Sequence, residues 1–214
     1  MNLDKIKSLL FQFIGIFFLI FINKLIYQNY GLAFLGTYNA LLIIVQFILI
    51  FTDCGISASV THFISKNINS SLRVKKIMQF SMFFSCFFFI IFTILLTFCF
   101  NNEYFLNKFK YLKPEEIYIF YFLSIGMLLG IFRTQFSSII LGYNEVMNYS
   151  LLNLFHIIVT NSTLALLIYL ETTKEVLSFG FFSASIISTL AFILYVMKIS
   201  SAKNLMPKFS KIIL

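Results

Sequence analysis

The chain is dominated by long stretches in which almost every residue is apolar. In residues 42–65 (LIIVQFILIFTDCGISASVTHFIS) the only acidic or basic side chain is Asp53, apart from one histidine. About 20 apolar residues in a helix, each rising about 1.5 Å, cover the roughly 30 Å hydrocarbon core of a bilayer. Stretches of this length predict an integral membrane protein built from spanning helices.

The composition supports a helical membrane protein. The chain is 60% hydrophobic and 11% charged, with a mean hydropathy of +0.93, whereas about a quarter of the residues in a soluble domain are charged. Transmembrane barrel strands alternate apolar and polar residues over about ten positions, and these stretches do not alternate. The first stretch is also too long for a cleaved signal peptide. We therefore predict an all-α fold.

The apolar stretches predict six transmembrane helices in one bundle that covers residues 1–214. The predicted spans are 6–28, 36–64, 77–100, 117–141, 149–170 and 176–199.

The basic residues predict the orientation of this bundle. With the amino terminus in the cytoplasm, ten of the 16 basic residues fall on the inner side and four on the outer side. This asymmetry follows the positive-inside rule and predicts that both termini are cytoplasmic, in a cell inner (plasma) membrane. The formal net charge of +8 is spread over separate short loops, so it indicates topology and contact with membrane lipids, and no nucleic-acid partner is expected.

Several polar residues inside the predicted spans share helix faces. A polar side chain is costly in a bilayer and tends to face the protein interior or a wet cavity. In the second span Asn39, Gln46 and Asp53 are seven residues apart, which is nearly two turns, so they form one stripe that Ser57 extends. Two more spans carry such stripes: Gly126, Gly130, Arg133 and Ser137 in the fourth, and Asn153, His156, Thr160 and Thr163 in the fifth.

Asp53 and Arg133 are predicted to lie at nearly the same depth. Asp53 is about eleven residues and Arg133 about eight residues from the inner ends of their spans. A buried carboxylate is tolerable when paired and very costly alone, so we hypothesise that the two side chains face one another across the bundle. The alternatives are that Asp53 caps a helix that resumes after it, and that Arg133 and Lys24 extend to the headgroups.

The sequence contains no recognisable catalytic or metal-binding motif. His62 and His156 have no carboxylate neighbour in sequence, and no nucleophile elbow, phosphate-binding glycine loop or HExxH pattern occurs. The three cysteines lie in apolar stretches without metal-ligand spacing, so we interpret them as small buried hydrophobic residues. We expect neither a cofactor nor enzymatic activity.

Three stretches resemble a known family. They are INKLIYQNYGLAFLGTYNALLIIVQFILIFTDCGISASVTHFIS, then QFSSIILGYNEVMNYSLLNLF, and the closing MPKFSKIIL. They are similar to the start, the fourth-to-fifth helix link and the lead-in to helix seven of the polysaccharide (O-antigen, Wzx-type) flippases of the multidrug/oligosaccharidyl-lipid/polysaccharide exporter superfamily. The matching residues are Asn23, Lys24, Gly31, Gly36, Tyr38, Asp53, Gly55, Gln135, Ser138, Gly142 and Ser150.

The resemblance implies a function and a place in a larger assembly. Family members move a polyprenyl-pyrophosphate-linked oligosaccharide between leaflets through a wet cavity that opens to each side in turn, for O-antigen or capsule synthesis. They have two six-helix lobes, and this chain covers only the first, so a second lobe or a second copy of the chain is an expected partner. The residues expected to line the substrate cavity are Lys24, Arg133, Asp53, Asn23, Asn39, Gln46, Gln135, Asn153 and His156.

The sequence is also compatible with other functions. A multidrug exporter of the same superfamily would also have six spans per lobe and would use acidic residues for cationic substrates. A truncated fragment or scaffold would not transport anything. An integral membrane transferase would need polar catalytic groups on its loops, and such groups are scarce here.

Overall fold

The computed structural model describes residues 3–53, 55–102, 117–170 and 173–202, and all the secondary structure in these ranges is helical. The predicted lead-in to a seventh helix at 206–214 and the lysines of the loop 103–116 lie outside the described residues. The helices are α1 (Leu3–Asp53), α2 (Ile56–Lys66), α3 (Ser71–Phe100), α4 (Ile117–Leu128), α5 (Gly130–Gly142), α6 (Val146–Tyr169) and α7 (Lys174–Ala202).

Helix α1 is divided into two arms at Gly31. This residue has φ 80° and ψ 175°, a backbone conformation that glycine adopts readily because it has no Cβ. The first arm lies alongside α6 in the same direction: Gln12 shares a small cleft with Asn153, and Gly15 packs closely against Ile157.

The second arm of α1 runs alongside α4 and α5. The rings of Phe34 and Phe120 are 5.4 Å apart, and farther along Leu49 packs on Gly130. The α5–α6 turn is only three residues long and reverses the chain, so α5 and α6 are antiparallel. Because one arm follows α6 and the other follows α5, the two arms of α1 are antiparallel to each other.

The described residues contain five segments that are long and apolar enough to cross a membrane. They are Leu9–Asp53, Ser71–Cys99, Tyr118–Gly142, Val146–Tyr169 and Lys174–Ser200. The prediction of an all-helical fold with helices suited to spanning a membrane is confirmed for this part of the chain.

The first two predicted spans differ from the observed helices. The predicted loop between 28 and 36 is helical except at Gly31, so both spans fall within the segment Leu9–Asp53. The second predicted span, 36–64, is interrupted by Gly55 with φ 80°, and α2 resumes at Ile56. Hydropathy does not detect these breaks, because a glycine inside an apolar stretch leaves the average almost unchanged.

Helices α4 and α5 form the centre of the bundle, with buried residues on most of their surface. One apolar cluster joins α4 to α1, α3, α6 and α7 around Leu123 and Phe120. A second joins α5 to α2, α3 and α7 around Ile139 and Ile64.

Large apolar side chains cover much of the outer surface, as lipid-facing helices require. Phe17, Leu32 and Phe83 are each more than 70% exposed. Cys86 is also exposed and Cys99 partly so, which makes the interpretation of the cysteines as buried wrong for Cys86. A lipid-facing position accepts the same small apolar side chain as a buried one does.

Candidate functional site

A cavity of about 1120 Å³ lies where the end of α1 meets α2, α5, α6 and α7. Its wall combines apolar side chains with a set of hydroxyl, amide, imidazole and charged groups. Its polar members include Asp53, Thr61, Arg133, Ser137, Asn153 and His156. Four of the predicted site residues, from three different predicted spans, therefore lie around one cavity: Asp53, Arg133, Asn153 and His156.

Asp53 is the last residue of α1 and serves as a cap for α2. Its Oδ1 accepts a hydrogen bond from the backbone N–H of Ser57 at 3.0 Å and another from the Ser57 hydroxyl. The first N–H groups of a helix have no partner within the helix, and a carboxylate satisfies them while also lying favourably at the positive end of the helix dipole. Asp53 therefore caps α2, which was the alternative to pairing with Arg133. The break at Gly55 explains why a carboxylate occurs inside an apolar stretch.

Gln135 forms a hydrogen bond with Asp53 but does not line the cavity itself. It is buried in α5, with its Oε1 accepting from the Ser81 hydroxyl at 2.9 Å and its Nε2 donating to Asp53 Oδ1 at 3.5 Å. It is not among the residues that line the cavity. Gln135 is thus placed to position Asp53, and its side chain connects α1, α3 and α5.

Arg133 lines the cavity without forming an ion pair with Asp53. No nitrogen of Arg133 lies within 4.0 Å of an Asp53 oxygen, and the hydrogen bonds of Asp53 go to Ser57 and Gln135. The two side chains line the same cavity, but the predicted direct ion pair between Asp53 and Arg133 is absent. Nη1 of Arg133 donates to the Thr189 hydroxyl at 3.4 Å, the one hydrogen bond of this guanidinium within the described ranges.

His156 is fixed by a serine of α7. Its Nδ1 lies 2.9 Å from the Ser188 hydroxyl, and that hydroxyl donates its single proton to the carbonyl of Ser185 at 2.9 Å. The Ser188 oxygen must then accept a proton from Nδ1, which assigns the neutral imidazole its Nδ1–H tautomer. Nε2 is left as an acceptor, next to a cavity that also contains the positive charge of Arg133.

The other members of the α6 stripe have a simpler role. Asn153 lines the cavity. The Thr160 hydroxyl donates to the carbonyl of His156, and the Thr163 hydroxyl donates to that of Val159. These two threonines therefore satisfy their own helix and offer little to a ligand.

Besides Gln135, four predicted site residues are not in the cavity wall. Lys24 and Gln46 are exposed, and Asn23 and Asn39 are partly buried away from the cavity. The buried residues of the first arm near Asn23 and Lys24 are Ile22 and Ile26. The second arm buries a stripe formed by Tyr38, Val45 and Thr52. Asn39, Gln46 and Asp53 each follow a member of that stripe by one residue, about 100° around the helix. Only Asp53 reaches the cavity, at the end where the arm stops.

The cavity also involves polar residues that the sequence analysis missed. On α7, Thr189 bonds Arg133 and Ser188 bonds His156. The Thr61 hydroxyl donates to the Ser138 carbonyl at 3.0 Å and so joins α2 to α5. Ser188 and Thr189 follow Ser185 by three and four residues and so lie near the same helix face, a spacing that would have identified them.

This arrangement suits a ligand that is rich in hydroxyl groups and carries an anionic group. Arg133 offers a fork of N–H donors, His156 and Asn153 offer acceptors, and Asp53 adds one negative charge to the wall. Among the described residues no three His, Cys, Asp or Glu side chains cluster as a metal site would need. A scan against protein-family models and searches of curated proteins and of solved structures find no match to this chain.

Proposed function

We propose that this chain forms one lobe of a transporter that moves a polyprenyl-pyrophosphate-linked oligosaccharide across a cell inner membrane for surface polysaccharide synthesis. The proposal combines the resemblance of three sequence stretches to the polysaccharide flippases with the chemistry of the cavity. No enzymatic step is part of it.

The proposed topology has six crossings and both termini in the cytoplasm. The segment Leu9–Asp53 has 45 residues, about 68 Å of helix at about 1.5 Å per residue, or roughly twice the bilayer core. Because its arms are antiparallel about Gly31, one crossing by each arm accounts for this length. The basic residues at the end of α2 and the start of α3 would then face the cytoplasm: Lys66, Arg73, Lys75 and Lys76.

The observation that carries the proposal is Arg133 in the wall of a large cavity, with a single hydrogen bond to a neutral threonine. An arginine at membrane depth is costly, and in a bundle it marks a polar path or a ligand site more often than a packing contact. A guanidinium binds phosphate oxygens in a bidentate way, which suits a pyrophosphate. The hydroxyls and amides around it suit the sugar hydroxyls.

The oligosaccharide of the proposed substrate is large and hydrated, so it needs a shielded route across the hydrocarbon core of the bilayer. A cavity that opens to one leaflet and then to the other, at the boundary between two lobes, provides such a route. In this scheme the second lobe, or a second copy of this chain, closes the open side of the cavity. The break at Gly55 lets α2 tilt against α1 while the bond between Thr61 and Ser138 keeps α2 attached to α5.

Export of organic cations is the second candidate, and one observation favours it. Asp53 presents a carboxylate to the same cavity as Arg133 and forms no salt bridge with it. A cationic substrate would use that carboxylate and would gain nothing from Arg133. The two functions therefore differ in which charged residue transport requires.

Transport of a labelled polyprenyl-pyrophosphate oligosaccharide tests the proposal. The chain is reconstituted in proteoliposomes alone and together with the second lobe of a polysaccharide flippase, and the lipid reaching the outer leaflet is measured. We expect Arg133→Gln to abolish transport and Arg73→Gln, a matched charge loss on the exposed α2–α3 end, to retain it. Undiminished transport by Arg133→Gln would overturn the proposal. Efflux of a cationic dye that is lost in Asp53→Asn and kept in Arg133→Gln would favour the exporter.

A further inference from the structure

A second cavity lies on the other side of α2. It is a groove of about 460 Å³ between α2 and α3, within the range of about 300–1,000 Å³ typical of small-molecule sites. Its wall is almost wholly apolar, with Val60, Phe63, Ile77 and Phe80, and its polar members are Ser59 and Lys76. Helix α2 separates it from the first cavity, because Ser57, Thr61 and Ser65 face that one.

The groove ends beside a cluster of positive charge that forms no salt bridge with an acidic residue in the described part of the chain. Lys66 closes α2, and Arg73, Lys75 and Lys76 lie in the first turns of α3, while the sequence has no acidic residue between Asp53 and Glu103. Glu145, on the neighbouring α5–α6 turn, is bonded to Asn148 and Tyr195.

The position of these cations on α3 is electrostatically unfavourable in the isolated chain. The amino-terminal turn of a helix carries a partial positive charge and favours anions, and the first turn of α3 contains none. Arg73 is the one member with a described side-chain bond, to Asn67 at 3.2 Å, and Asn67 is neutral. A bound anion would offset both the helix dipole and the mutual repulsion of the lysines.

We infer that the α2–α3 groove binds an anionic phospholipid, with one acyl chain along Val60, Phe63, Ile77 and Phe80 and the phosphate at Lys76. The groove is apolar over its length and basic at one end, which is the pattern of a phospholipid and its acidic head group. A peptide strand would bring backbone N–H and C=O groups that this wall cannot satisfy. The inference does not depend on what the first cavity transports.

Lipid binding to the full chain in detergent, followed by native mass spectrometry, tests this site. Dioleoyl-phosphatidylglycerol and dioleoyl-phosphatidylcholine are compared, since they share acyl chains and differ in net charge. We expect the wild-type chain to bind the anionic lipid more tightly. Lys76→Gln should weaken that binding about fivefold, as expected for one lysine at an anionic surface, while leaving phosphatidylcholine binding unchanged.

Lys75→Gln is the matched control. It removes the same charge from the residue just before Lys76, and Lys75 does not line the groove. It should weaken anionic lipid binding clearly less than Lys76→Gln does. Equal losses in the two variants would show attraction by diffuse surface charge and would overturn the site. Equal binding of the two lipids by the wild-type chain would overturn it as well.

Filling the groove gives a second test that leaves the charges intact. Ser59→Phe places a ring in the groove and should lower the occupancy of both lipids. Cys86→Phe adds similar bulk at an exposed α3 position outside the groove and should leave occupancy unchanged. Undiminished lipid binding by Ser59→Phe would show that the acyl chain does not lie there.

Discussion

Gln135 lies between two hydrogen-bonding partners on different helices, accepting from Ser81 Oγ at 2.9 Å and donating to Asp53 Oδ1 at 3.5 Å. Ser81 is fully buried and Asp53 lies in the cavity wall. One amide in α5 therefore fixes the position of a charged cavity residue relative to α3. A carboxamide suits this contact, because its carbonyl oxygen accepts while its NH₂ group donates.

Gln135→Leu should destabilise the protein by about 1–3 kcal/mol, because it leaves the buried Ser81 hydroxyl without that acceptor and removes one bond to Asp53. The unfolding transition in mild detergent measures the change.

The paired variant Gln135→Leu with Ser81→Ala is the control for this prediction. Removing both partners eliminates the unsatisfied hydroxyl, so part of the lost stability should return. A double variant less stable than Gln135→Leu alone would show that the hydrogen bond does not explain the loss.

Asp53→Ala should destabilise the protein by about 1 kcal/mol, since it removes the cap of the Ser57 N–H at the start of α2. Asp53→Asn keeps an oxygen acceptor and should retain most of that stability while removing the charge. Thermal unfolding of both variants measures the difference, and equal losses would mean that the charge, and not the capping bond, matters for folding.

Gly142→Ala should be strongly destabilising for so small a change. A Cβ at Gly142 would lie 2.7 Å from the Ile64 Cβ and 3.2 Å from the Thr61 carbonyl oxygen, so α2 and α5 would have to separate. Overpacking of this kind costs about 1–3 kcal/mol.

Gly36→Ala is the matched control, because no atom beyond its chain neighbours and its own helix backbone lies within 4 Å of a Cβ there, and the residue is helical. It should be neutral or stabilising by up to about 1 kcal/mol. Melting temperatures of the two variants in one detergent provide the comparison, and a Gly142→Ala protein that melts with the wild type would contradict the close α2–α5 contact.

The first cavity should be accessible to water-soluble thiol reagents. In a chain with its three cysteines replaced by alanine, Ser137→Cys, in the cavity wall, should react with a charged methanethiosulfonate. Leu194→Cys lies at a similar depth on the outer face of α7, where the residue is 64% exposed, and should stay unreactive in lipid. Equal labelling rates in vesicles would show that the cavity is no more hydrated than the lipid-facing surface.

Some features of this protein follow from the sequence alone, because they depend on local properties. Long apolar stretches require helices in a bilayer, where every backbone polar group must be satisfied within its own segment. Helical periodicity likewise groups Asn153 with His156 on one face of α6. Both conclusions need only the spacing of residues along one helix.

The tertiary structure decided which polar stripe faces the cavity and what each residue contacts. The rotation of α1 about its axis is set by packing of Tyr38, Val45 and Thr52, and this turns Asn39 and Gln46 away from the cavity. Gly31 and Gly55 interrupt the helix without changing the local hydropathy. Asp53 therefore bonds the backbone N–H of Ser57, two residues past the break at Gly55, and not Arg133, which was predicted at the same depth. Hydrogen bonds form between groups that are neighbours in space, and only the packing of the helices determines those neighbours.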